Sequence, residues 1–351
     1  MVGSTPTWVL GVDGGASSTR AAVADLDGHV VAVAAAGPSN HVRGEAGKVR
    51  LRKALEGAVG GALAQAAASA GPASLVYLQS VTLGMTGVNP GTPEAERVVE
   101  ALLPLLPEAA LDQGLRSRIE VVSDARTALE GATEGHPGIL VYAGTGSVAM
   151  GRDAAGVIAR AGGWGYLIDD EGGGYAIGRQ ALKAVYRARD GRGPRTRLTE
   201  LLLQHFAAEN LDALIRVVYA DDGLDRPAVA RLARLVAVAA REGDPAALTI
   251  YVQAARELCG LAVAVAEALS MEGPSVYYSG GVFEAGRPLV EPFESAVRAS
   301  LRGANVAPAH HPPLVGALLM AYRQVGYTVS PALLARLRSQ LERTSSEPVR
   351  S

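Results

Sequence analysis

The chain has little of what several protein classes require. It contains one cysteine, Cys259, in 351 residues, which excludes a disulfide-stapled scaffold and a cysteine-rich metal site within one chain. Its formal net charge is −2, and arginine supplies nearly all of the positive charge, since the lysines are Lys48, Lys53 and Lys183. This near-neutral balance gives no electrostatic basis for binding nucleic acid.

Long uninterrupted apolar runs are also scarce. Asp13 and Arg20 interrupt the apolar segment near the N-terminus, so we expect no signal peptide there. The apolar stretch Leu258–Leu269 contains Glu267 and is too short and too charged at its edges to span a bilayer. We therefore predict a soluble, cytoplasmic protein with no membrane and no nucleic-acid partner.

The composition that is present predicts a globular protein. Hydrophobic residues make up 48% of the chain and charged residues 19%, which excludes intrinsic disorder. A chain of 351 residues is long enough to form two domains that each bury a core of their own.

A glycine-rich loop between two apolar, strand-like runs occurs twice, at Trp8–Ala32 and at Gly138–Ala159. The residues that follow the two loops, Arg20–Asp25 and Val148–Arg152, alternate over short runs and are predicted strands. This argues against a P-loop and a Rossmann fingerprint, because both need a helix after the glycines. Two hairpins with backbone amides at their tips could instead hold one polyphosphate from two sides.

The rest of the chain alternates between predicted strands and helices and becomes mostly helical from Gly173 onward. Further strands are predicted at Ser74–Leu83, Ile119–Val122 and Ser275–Ser279. Helices are predicted at Arg50–Ala70, Glu94–Leu106, Ala125–Thr133, Gly174–Ala188, Arg197–Ala208, Leu211–Tyr219, Arg226–Arg241, Pro245–Met271, Pro288–Leu301 and Leu314–Gln324. This order indicates two related α/β halves with a cleft between them.

Asp13 ends the first predicted strand, directly before the loop Gly14–Ser18. A carboxylate there suits a magnesium site, because Mg²⁺ takes one or two carboxylates and keeps waters that link it to substrate phosphates. An ordinary Asp-Gly hairpin turn is the alternative. The hydroxyl-rich run Ser17–Thr19 and the second hairpin favour phosphate binding.

The second loop, Gly144–Ser147, has no lysine. Its phosphate donors would be backbone amides and the hydroxyls of Thr145 and Ser147. A tight glycine hairpin is the alternative, and the match to the first hairpin favours the phosphate interpretation. Gly280 and Gly281 follow another predicted strand and either pack bare backbone against adenosine or form a plain βα turn.

Asp124 follows a predicted strand and precedes a predicted helix. One interpretation is a helix N-cap. The functional interpretation is a general base that accepts a proton from a substrate hydroxyl while that hydroxyl attacks a phosphoryl group.

The segment Gly162–Gly178 concentrates glycines around Trp164 and three acidic residues. Glycines permit close approach of the backbone to a ligand, an aromatic ring packs on the C–H faces of a sugar, and a carboxylate binds hydroxyls. An exposed acidic helix N-terminus is the alternative. In the polar loop Gly37–Glu45, Asn40 could bind hydroxyls, whereas we expect His41 to be structural.

In this order, the motifs resemble the sugar kinase, actin and heat-shock ATPase superfamily, and within it the N-acetylglucosamine kinase branch grouped with the BadF/BadG/BcrA/BcrD ATPases. The resemblance covers nearly the whole chain. Its most specific part is GGWGYLIDDEGG. The other parts are VDGGASSTR, SNH at Ser39–His41, SDA at Ser123–Ala125, AGTGS at Ala143–Ser147 and SGGVF at Ser279–Phe283.

The resemblance implies an α/β fold of two ribonuclease-H-like (actin-like ATPase) domains whose interdomain cleft closes on ATP and a hexosamine. It implies that Asp124 is the general base for the sugar 6-hydroxyl. It also implies that Asn40, Trp164 and Asp170 contact the sugar and that Thr145 and its loop contact the phosphates. We place the N-terminal domain at residues 1–126, completed by helices at about 312–345, and the C-terminal domain at residues 127–311.

Two positions depart from the family pattern. The first loop usually reads DGGGT, and here Ala16 replaces the third glycine while Ser17 keeps a hydroxyl. The family sequence GDEG is here Asp169-Asp170-Glu171-Gly172. The extra charge of Asp169 could favour an amino sugar with a free ammonium group.

We therefore predict an ATP-dependent hexosamine kinase, with N-acetylglucosamine as the expected substrate, that works as a homodimer. ATP and Mg²⁺ are the expected cofactors, with Asp13 as the metal ligand. Positioning and charge neutralisation supply most of the rate in phosphoryl transfer. The predicted ATP-binding residues are Gly14, Gly15, Ser17, Ser18, Gly144, Thr145, Gly146, Gly280 and Gly281.

Three alternatives stay open at this point. A glucosamine kinase or an N-acetylmuramic acid kinase would have the same fold and a different sugar. An ATP-driven activator of a radical dehydratase would hold an iron–sulfur cluster with paired cysteines from each chain, and the single Cys259 argues against it. A sugar-sensing repressor would need a helix-turn-helix, and seven residues precede Trp8.

Overall fold

The computed structural model describes residues 7–40, 44–70, 77–220 and 223–346. The predicted structural role of His41 falls outside these residues. The chain divides into two compact units, one formed by residues 1–135 and 310–351 and the other by residues 136–309.

The first unit is built on a mixed five-stranded sheet in the order β3-β2-β1-β4-β5. β1 pairs antiparallel with β2 and parallel with β4, and β4 pairs parallel with β5. The strands are β1 (Thr7–Gly14), β2 (Thr19–Asp25), β3 (Val30–Ala36), β4 (Tyr77–Met85) and β5 (Ile119–Ser123).

Helices between these strands cover one face of the first sheet. Trp8, Leu10 and Val12 alternate along β1 and join the core on this face, while Val9 joins the core on the other face. These helices are α1 (Gly44–Leu55), a π-helical turn (Glu56–Gly60), α2 (Gly61–Ala70), α3 (Pro93–Leu102), a 3₁₀ turn (Leu103–Leu105), α4 (Glu108–Asp112) and a 3₁₀ turn (Leu115–Arg118). A further helix, α5 (Asp124–Thr133), follows β5 and does not contribute to this core.

The second unit repeats this topology, with strands in the order β10-β9-β6-β7-β8. Its strands are β6 (Gly138–Ala143), β7 (Ser147–Arg152), β8 (Ile158–Gly162), β9 (Ser275–Ser279) and β10 (Asn305–Pro308). Its helices are α6 (Gly174–Arg189), α7 (Leu198–His205), α8 (Leu211–Val218), α9 (Arg226–Arg231), α10 (Ala233–Arg241), α11 (Pro245–Ala268), a 3₁₀ turn (Gly281–Ala285) and α12 (Arg287–Ser300).

The chain then returns to the first unit as α13 (Pro313–Gln324) and α14 (Pro331–Ser346). α13 packs on the second face of the first sheet, and a Cβ at Gly11 of β1 would lie 2.8 Å from the Leu318 nitrogen. Glycine at this position therefore lets the helix approach the strand closely. This packing places residues from the two ends of the chain in one core.

Both predicted hairpins are confirmed. β1 pairs antiparallel with β2, and β6 pairs antiparallel with β7. In both units, the third strand continues the antiparallel part and the fourth and fifth add parallel strands. The sequence repeat therefore corresponds to one sheet topology used twice.

One secondary-structure prediction is wrong, and one strand was missed. The single helix predicted at Arg226–Arg241 is two helices, α9 and α10, separated at Leu232. The strand β10 was not predicted, because it is a four-residue edge strand that ends in Pro308 and has too short a pattern to recognise.

α11 is the one helix among the described residues that is long and apolar enough to cross a membrane. It packs in the core of the second unit through residues that include Ile250, Leu258 and Val265. Core helices pass the same test of length and composition. Cys259 is also buried on this helix and donates a hydrogen bond from Sγ to the hydroxyl of Ser300 at 3.7 Å.

Candidate functional site

Three parallel strands of the first sheet end side by side. Gly14 at the end of β1 is in register with Met85 of β4, and Met85 is in register with Ser123 of β5. Thr86 and Asp124 directly follow β4 and β5. In open α/β sheets, ligands bind beyond the carboxyl ends of the strands, so this edge is a candidate site.

The carboxylate of Asp124 is held at both oxygens. Oδ1 accepts a hydrogen bond from the Ala125 amide at 2.9 Å, and Oδ2 accepts one from Thr86 Oγ1 at 2.6 Å. Asp124 is the first residue of α5, and the preceding Ser123 occupies the N-cap position. The N-cap interpretation of Asp124 is therefore wrong, and its half-buried carboxylate lies at the edge of the sheet.

Asp13 lies at the same edge, one residue before the end of β1. Burial, and after it the negative charge of Asp124, raises the pKa of Asp13 from 3.8 to about 6, with Arg20 opposing the shift. Two carboxylates close enough to repel each other create a negative potential that a cation would relieve.

The surroundings of Asp13 fit a magnesium ion carried by a phosphate ligand. The described residues contain no cluster of three or more His, Cys, Asp or Glu side chains that could hold a metal. Mg²⁺ suits this setting, because it binds through one or two carboxylates and completes its shell with water and phosphate oxygens. The buried Ser39 Oγ has no hydrogen-bond partner, and it would lie 2.7 Å from a Cβ at Gly14. A polar ligand group bound beside this strand end would supply the partner that this hydroxyl lacks.

The first loop is closed by its own backbone. The Gly15 amide donates to the Ser18 carbonyl at 2.8 Å, and Ser17 and Ser18 are exposed. The Ser39 amide donates to the Gly15 carbonyl at 3.2 Å. This bond brings the following residue, Asn40, which is predicted to contact the sugar, close to the loop. Asn40 is half-buried, and its backbone carbonyl accepts a bond from Arg50.

In the second unit, the N-terminal turn of α6 holds the loop Gly144–Ser147 through hydrogen bonds. The amides of Gly174 and Tyr175, in the first turn of α6, donate to the carbonyls of Gly144 and Thr145 at 2.8 and 3.0 Å. Helix N-terminal amides are thereby used on the loop's carbonyls. Ser147 Oγ donates to the Glu171 carbonyl at 2.6 Å, so this hydroxyl fixes the loop.

The Asp170 carboxylate packs against this loop at Gly146. Asp170 is 4% exposed and has a left-handed backbone with φ of 65°. A Cβ at Gly146 would lie 2.3 Å from Asp170 Oδ2, so glycine is required for this contact. Burial raises the pKa of Asp170, and the Arg226 guanidinium and the Ser147 and Gly165 backbone amides oppose that rise.

Arg226 neutralises the buried Asp170. Its Nη2 lies 2.7 Å from Asp170 Oδ2, and its guanidinium lies over the ring of Tyr166, 5.2 Å from the centroid. We expect Arg226→Met to lower the free energy of unfolding by about 2 kcal/mol, because it leaves a buried charge without its partner. Combining it with Asp170→Asn should cost less than the sum of the two single changes, as measured by urea denaturation.

The matched control is Arg179→Met. Arg179 pairs with Glu171, but both side chains of this pair are more than a third exposed. Exposed pairs contribute less than about 1 kcal/mol, so the control should be nearly neutral. Equal losses in the two variants, or additive losses in the Asp170 and Arg226 pair, would contradict the assignment.

Trp164 presents an open aromatic ring. It is 70% exposed, and the Arg160 guanidinium lies 5.8 Å from its ring centroid. Leu167 and Ile168 in the same segment are 84% and 81% exposed. An exposed ring in the same segment of chain as Asp170 is available to pack on a sugar face.

Gly280 and Gly281 follow β9. Gly280 has φ of 106°, and a Cβ there would lie 2.3 Å from the Ala143 carbonyl oxygen, so only glycine fits. Gly281 is exposed, and a Cβ there would meet nothing within 4 Å. This leaves bare backbone at the end of β9, as a packed adenosine requires.

The structure brings together Asp13, Gly14 and Asp124 in the first unit, and Gly146 and Asp170 in the second. Three partners of these residues were missed in the sequence: Thr86, the Ser39 hydroxyl and Arg226. Thr86 could have been suspected, because it is a hydroxyl residue between a strand end and a glycine.

The two units, with a mixed sheet of the same order in each and glycine hairpins beside the strand ends, have the α/β fold of the actin-like ATPases, the fold of known sugar kinases. The chain belongs to the BadF/BadG/BcrA/BcrD ATPase family, whose sequence profile matches residues 10–321.

Relatives cover nearly the whole chain. The N-acetylmuramic acid/N-acetylglucosamine kinase of Clostridium acetobutylicum is 32% identical over 90% of this chain and 98% of its own. The N-acetyl-D-glucosamine kinase of Dictyostelium discoideum is 27% identical over 89% of this chain and 97% of its own. The crystal structure of a presumed N-acetylglucosamine kinase of Chromobacterium violaceum matches with a TM-score of 0.69 and 30% identity, over 90% of this chain and 99% of that one.

Proposed function

We propose that this protein is an ATP-dependent amino-sugar kinase that phosphorylates N-acetylglucosamine at its 6-hydroxyl. The observation that carries the proposal is the Asp124 carboxylate, which Thr86 and the Ala125 amide hold beside Asp13 at the end of the first sheet. Membership of an ATPase family and similarity to two hexosamine kinases support the nucleotide and the substrate class.

In this proposal, Asp124 is the general base. The carboxylate accepts the proton of the sugar hydroxyl while the hydroxyl oxygen attacks the γ-phosphorus of ATP. A bond forms between the sugar oxygen and phosphorus, the bond from phosphorus to the β,γ-bridging oxygen breaks, and ADP leaves with that electron pair. Each oxygen of Asp124 accepts one described hydrogen bond, which leaves lone pairs for the substrate proton.

Asp13 is the residue that would hold Mg²⁺. The bound cation would neutralise phosphate charge during transfer. The raised pKa of Asp13 supports this assignment, because the site disfavours an uncompensated carboxylate. Asp13 itself positions the cation and takes no part in proton transfer.

We propose that ATP is bound by backbone amides, hydroxyls and bare glycine backbone rather than by lysine. In the first loop, the exposed hydroxyls of Ser17 and Ser18 support this role. In the second loop, α6 binds the carbonyls of Gly144 and Thr145, and the loop amides are the proposed phosphate donors. The proposed ATP-binding residues are Gly14, Gly15, Ser17, Ser18, Gly144, Thr145, Gly146, Gly280 and Gly281.

Asn40, Trp164 and Asp170 are the proposed sugar contacts. The half-buried Asn40 follows the first loop, and the exposed Trp164 ring offers an apolar face. One oxygen of Asp170, Oδ2, is bound by Arg226. The Ser147 and Gly165 backbone amides also donate to this carboxylate, and we propose that one of its remaining lone pairs accepts a sugar hydroxyl.

A phosphoryl-acceptor screen tests the proposal. ADP release would be measured with N-acetylglucosamine, glucosamine, N-acetylmuramic acid, glucose and 6-deoxy-N-acetylglucosamine. We expect kcat/KM for N-acetylglucosamine to exceed that for glucose by about 100-fold or more, since a site that binds a polar substituent rejects an analogue without it. The 6-deoxy sugar should release no ADP above the rate without sugar.

Two outcomes would contradict the proposal. Undiminished ADP release with the 6-deoxy sugar would exclude O6 as the acceptor. A preference for glucose over all three amino sugars would exclude the substrate class. A preference for glucosamine or N-acetylmuramic acid would keep the reaction and replace the sugar.

A further inference from the structure

Thr86 connects three parts of the first unit. It follows the last residue of β4, in a turn in which the Val88 amide donates to the Met85 carbonyl at 3.2 Å and Gly87 has φ of 75°. Its own amide donates to the carbonyl of Gly14, at the end of β1, at 2.9 Å. The backbone of Thr86 is therefore fixed against the first loop.

The side chain of Thr86 points to Asp124. Its hydroxyl donates to Asp124 Oδ2 at 2.6 Å, within the short range of hydrogen bonds to ionised groups. The Ala125 amide binds Oδ1, so the plane of the carboxylate is set by two donors on opposite oxygens. With one donor alone, the carboxylate could rotate about its Cβ–Cγ bond.

The neighbourhood makes this orientation consequential. Asp13 places a second negative charge at the same edge, and the two carboxylates repel each other. Thr86 supplies a donor that offsets this repulsion at Oδ2 and keeps Asp124 in one orientation. The Thr86 hydroxyl is half-buried, which strengthens the bond relative to one in water.

We propose that Thr86 is the positioning residue of the phosphoryl-transfer site, and that its hydroxyl orients the Asp124 carboxylate toward the acceptor hydroxyl while its backbone ties that carboxylate to the first phosphate loop. This proposal rests on the proposed function of Asp124. Thr86 acts through Asp124 and has no contact with substrate assigned to it.

The central experiment compares Thr86→Val, which keeps the shape and removes the hydroxyl, with Thr86→Ser, which keeps the hydroxyl. We expect Thr86→Val to lower kcat about 10- to 30-fold, because a misoriented catalytic group loses one to two orders of magnitude in rate. The KM values for ATP and N-acetylglucosamine should stay within about twofold, since no binding contact is removed. Thr86→Ser should keep kcat within about threefold of the unchanged protein.

Thr82→Val is the matched control on the same strand. Thr82 is buried, and its hydroxyl accepts a hydrogen bond from Gln324 Nε2 at 2.9 Å. We expect this variant to lose stability and keep kcat. If Val at position 86 prevents folding, Thr86→Ala tests the same loss of the hydroxyl with a smaller side chain.

Asp124→Ala separates the two proposals. If Asp124→Ala is inactive and Thr86→Val has normal kcat, the role of Thr86 is wrong and that of Asp124 stands. If Asp124→Ala keeps normal turnover, the proposed function of Asp124 is wrong. Adding Thr86→Val to Asp124→Ala should leave the residual rate unchanged, because Thr86 acts through Asp124. A further loss of rate in the double variant would overturn the role of Thr86. Equal losses of kcat in Thr86→Val and Thr86→Ser would overturn it as well.

Discussion

Asp124→Asn should bind ATP and N-acetylglucosamine nearly as well as the unchanged protein and turn them over about 100-fold more slowly, or worse. The amide oxygen can still accept the hydrogen bond from the Ala125 amide, and the amide nitrogen can donate to the Thr86 hydroxyl oxygen once that hydroxyl rotates, so the geometry should persist. An amide cannot take up the proton of an attacking hydroxyl. Steady-state ADP release gives kcat, and calorimetric titration gives the two affinities.

Asp212→Asn is the charge-matched control. Its carboxylate is 65% exposed and pairs with Arg189 on the surface of the second unit. We expect its kcat to stay within about twofold, because exposed pairs contribute little. Near-normal turnover in Asp124→Asn would remove Asp124 from the mechanism, and weakened binding with unchanged kcat would make it a substrate ligand.

Asp13→Asn should make the free protein more stable and the enzyme worse. Burial and the Asp124 charge raise the pKa of Asp13 from 3.8 to about 6, so the folded protein binds this proton more tightly than the unfolded chain. At neutral pH the carboxylate is ionised in both states, and the unfavourable site costs up to about 3 kcal/mol of stability. Asparagine removes that charge and should raise the free energy of unfolding by up to this amount.

The sign of the pH dependence gives a sharper test. A group whose folded pKa is raised costs stability as pH rises from its unfolded pKa to its folded pKa, and the cost is constant above that. The stability difference between Asp13→Asn and the unchanged protein should therefore be largest above about pH 6 and vanish near pH 4. Urea denaturation of the nucleotide-free protein across this range measures the difference.

Metal dependence is the second readout for Asp13. We expect the Mg²⁺ concentration for half-maximal activity to rise about tenfold or more in Asp13→Asn, since a carboxylate ligand is lost. A stability gain that does not depend on pH would contradict the cause assigned to the raised pKa. An unchanged Mg²⁺ requirement would contradict the metal role.

Local patterns were sufficient to predict the two hairpins. Alternating residues after each glycine loop predict a strand, and β2 and β7 follow the loops as predicted. The break between α9 and α10 was not predictable, because the residues around Leu232 are good helix formers and carry no stop signal. α9 is positioned by its packing on α6, where a Cβ at Gly178 would collide with the Val229 carbonyl.

The principal carboxylates of the site could be predicted from the sequence, but their hydrogen-bond and ion-pair partners could not. Asp13 and Asp124 stand at strand ends, which periodicity locates. Thr86 is 38 residues from Asp124, and Arg226 is 56 residues from Asp170, so no local pattern connects these pairs. Only the register of the strands and the packing of the helices bring them together.

The duplicated topology has one consequence for electrostatics. In the first sheet, the strand ends that align on β1, β4 and β5 bring Asp13 and Asp124 together. The equivalent ends of β9 and β10 in the second sheet are followed by Gly280 and Ala309, which are uncharged. The two copies of one scaffold thus carry an acidic edge in the first sheet and an uncharged edge in the second, and the proton and cation chemistry that we propose is confined to the first copy.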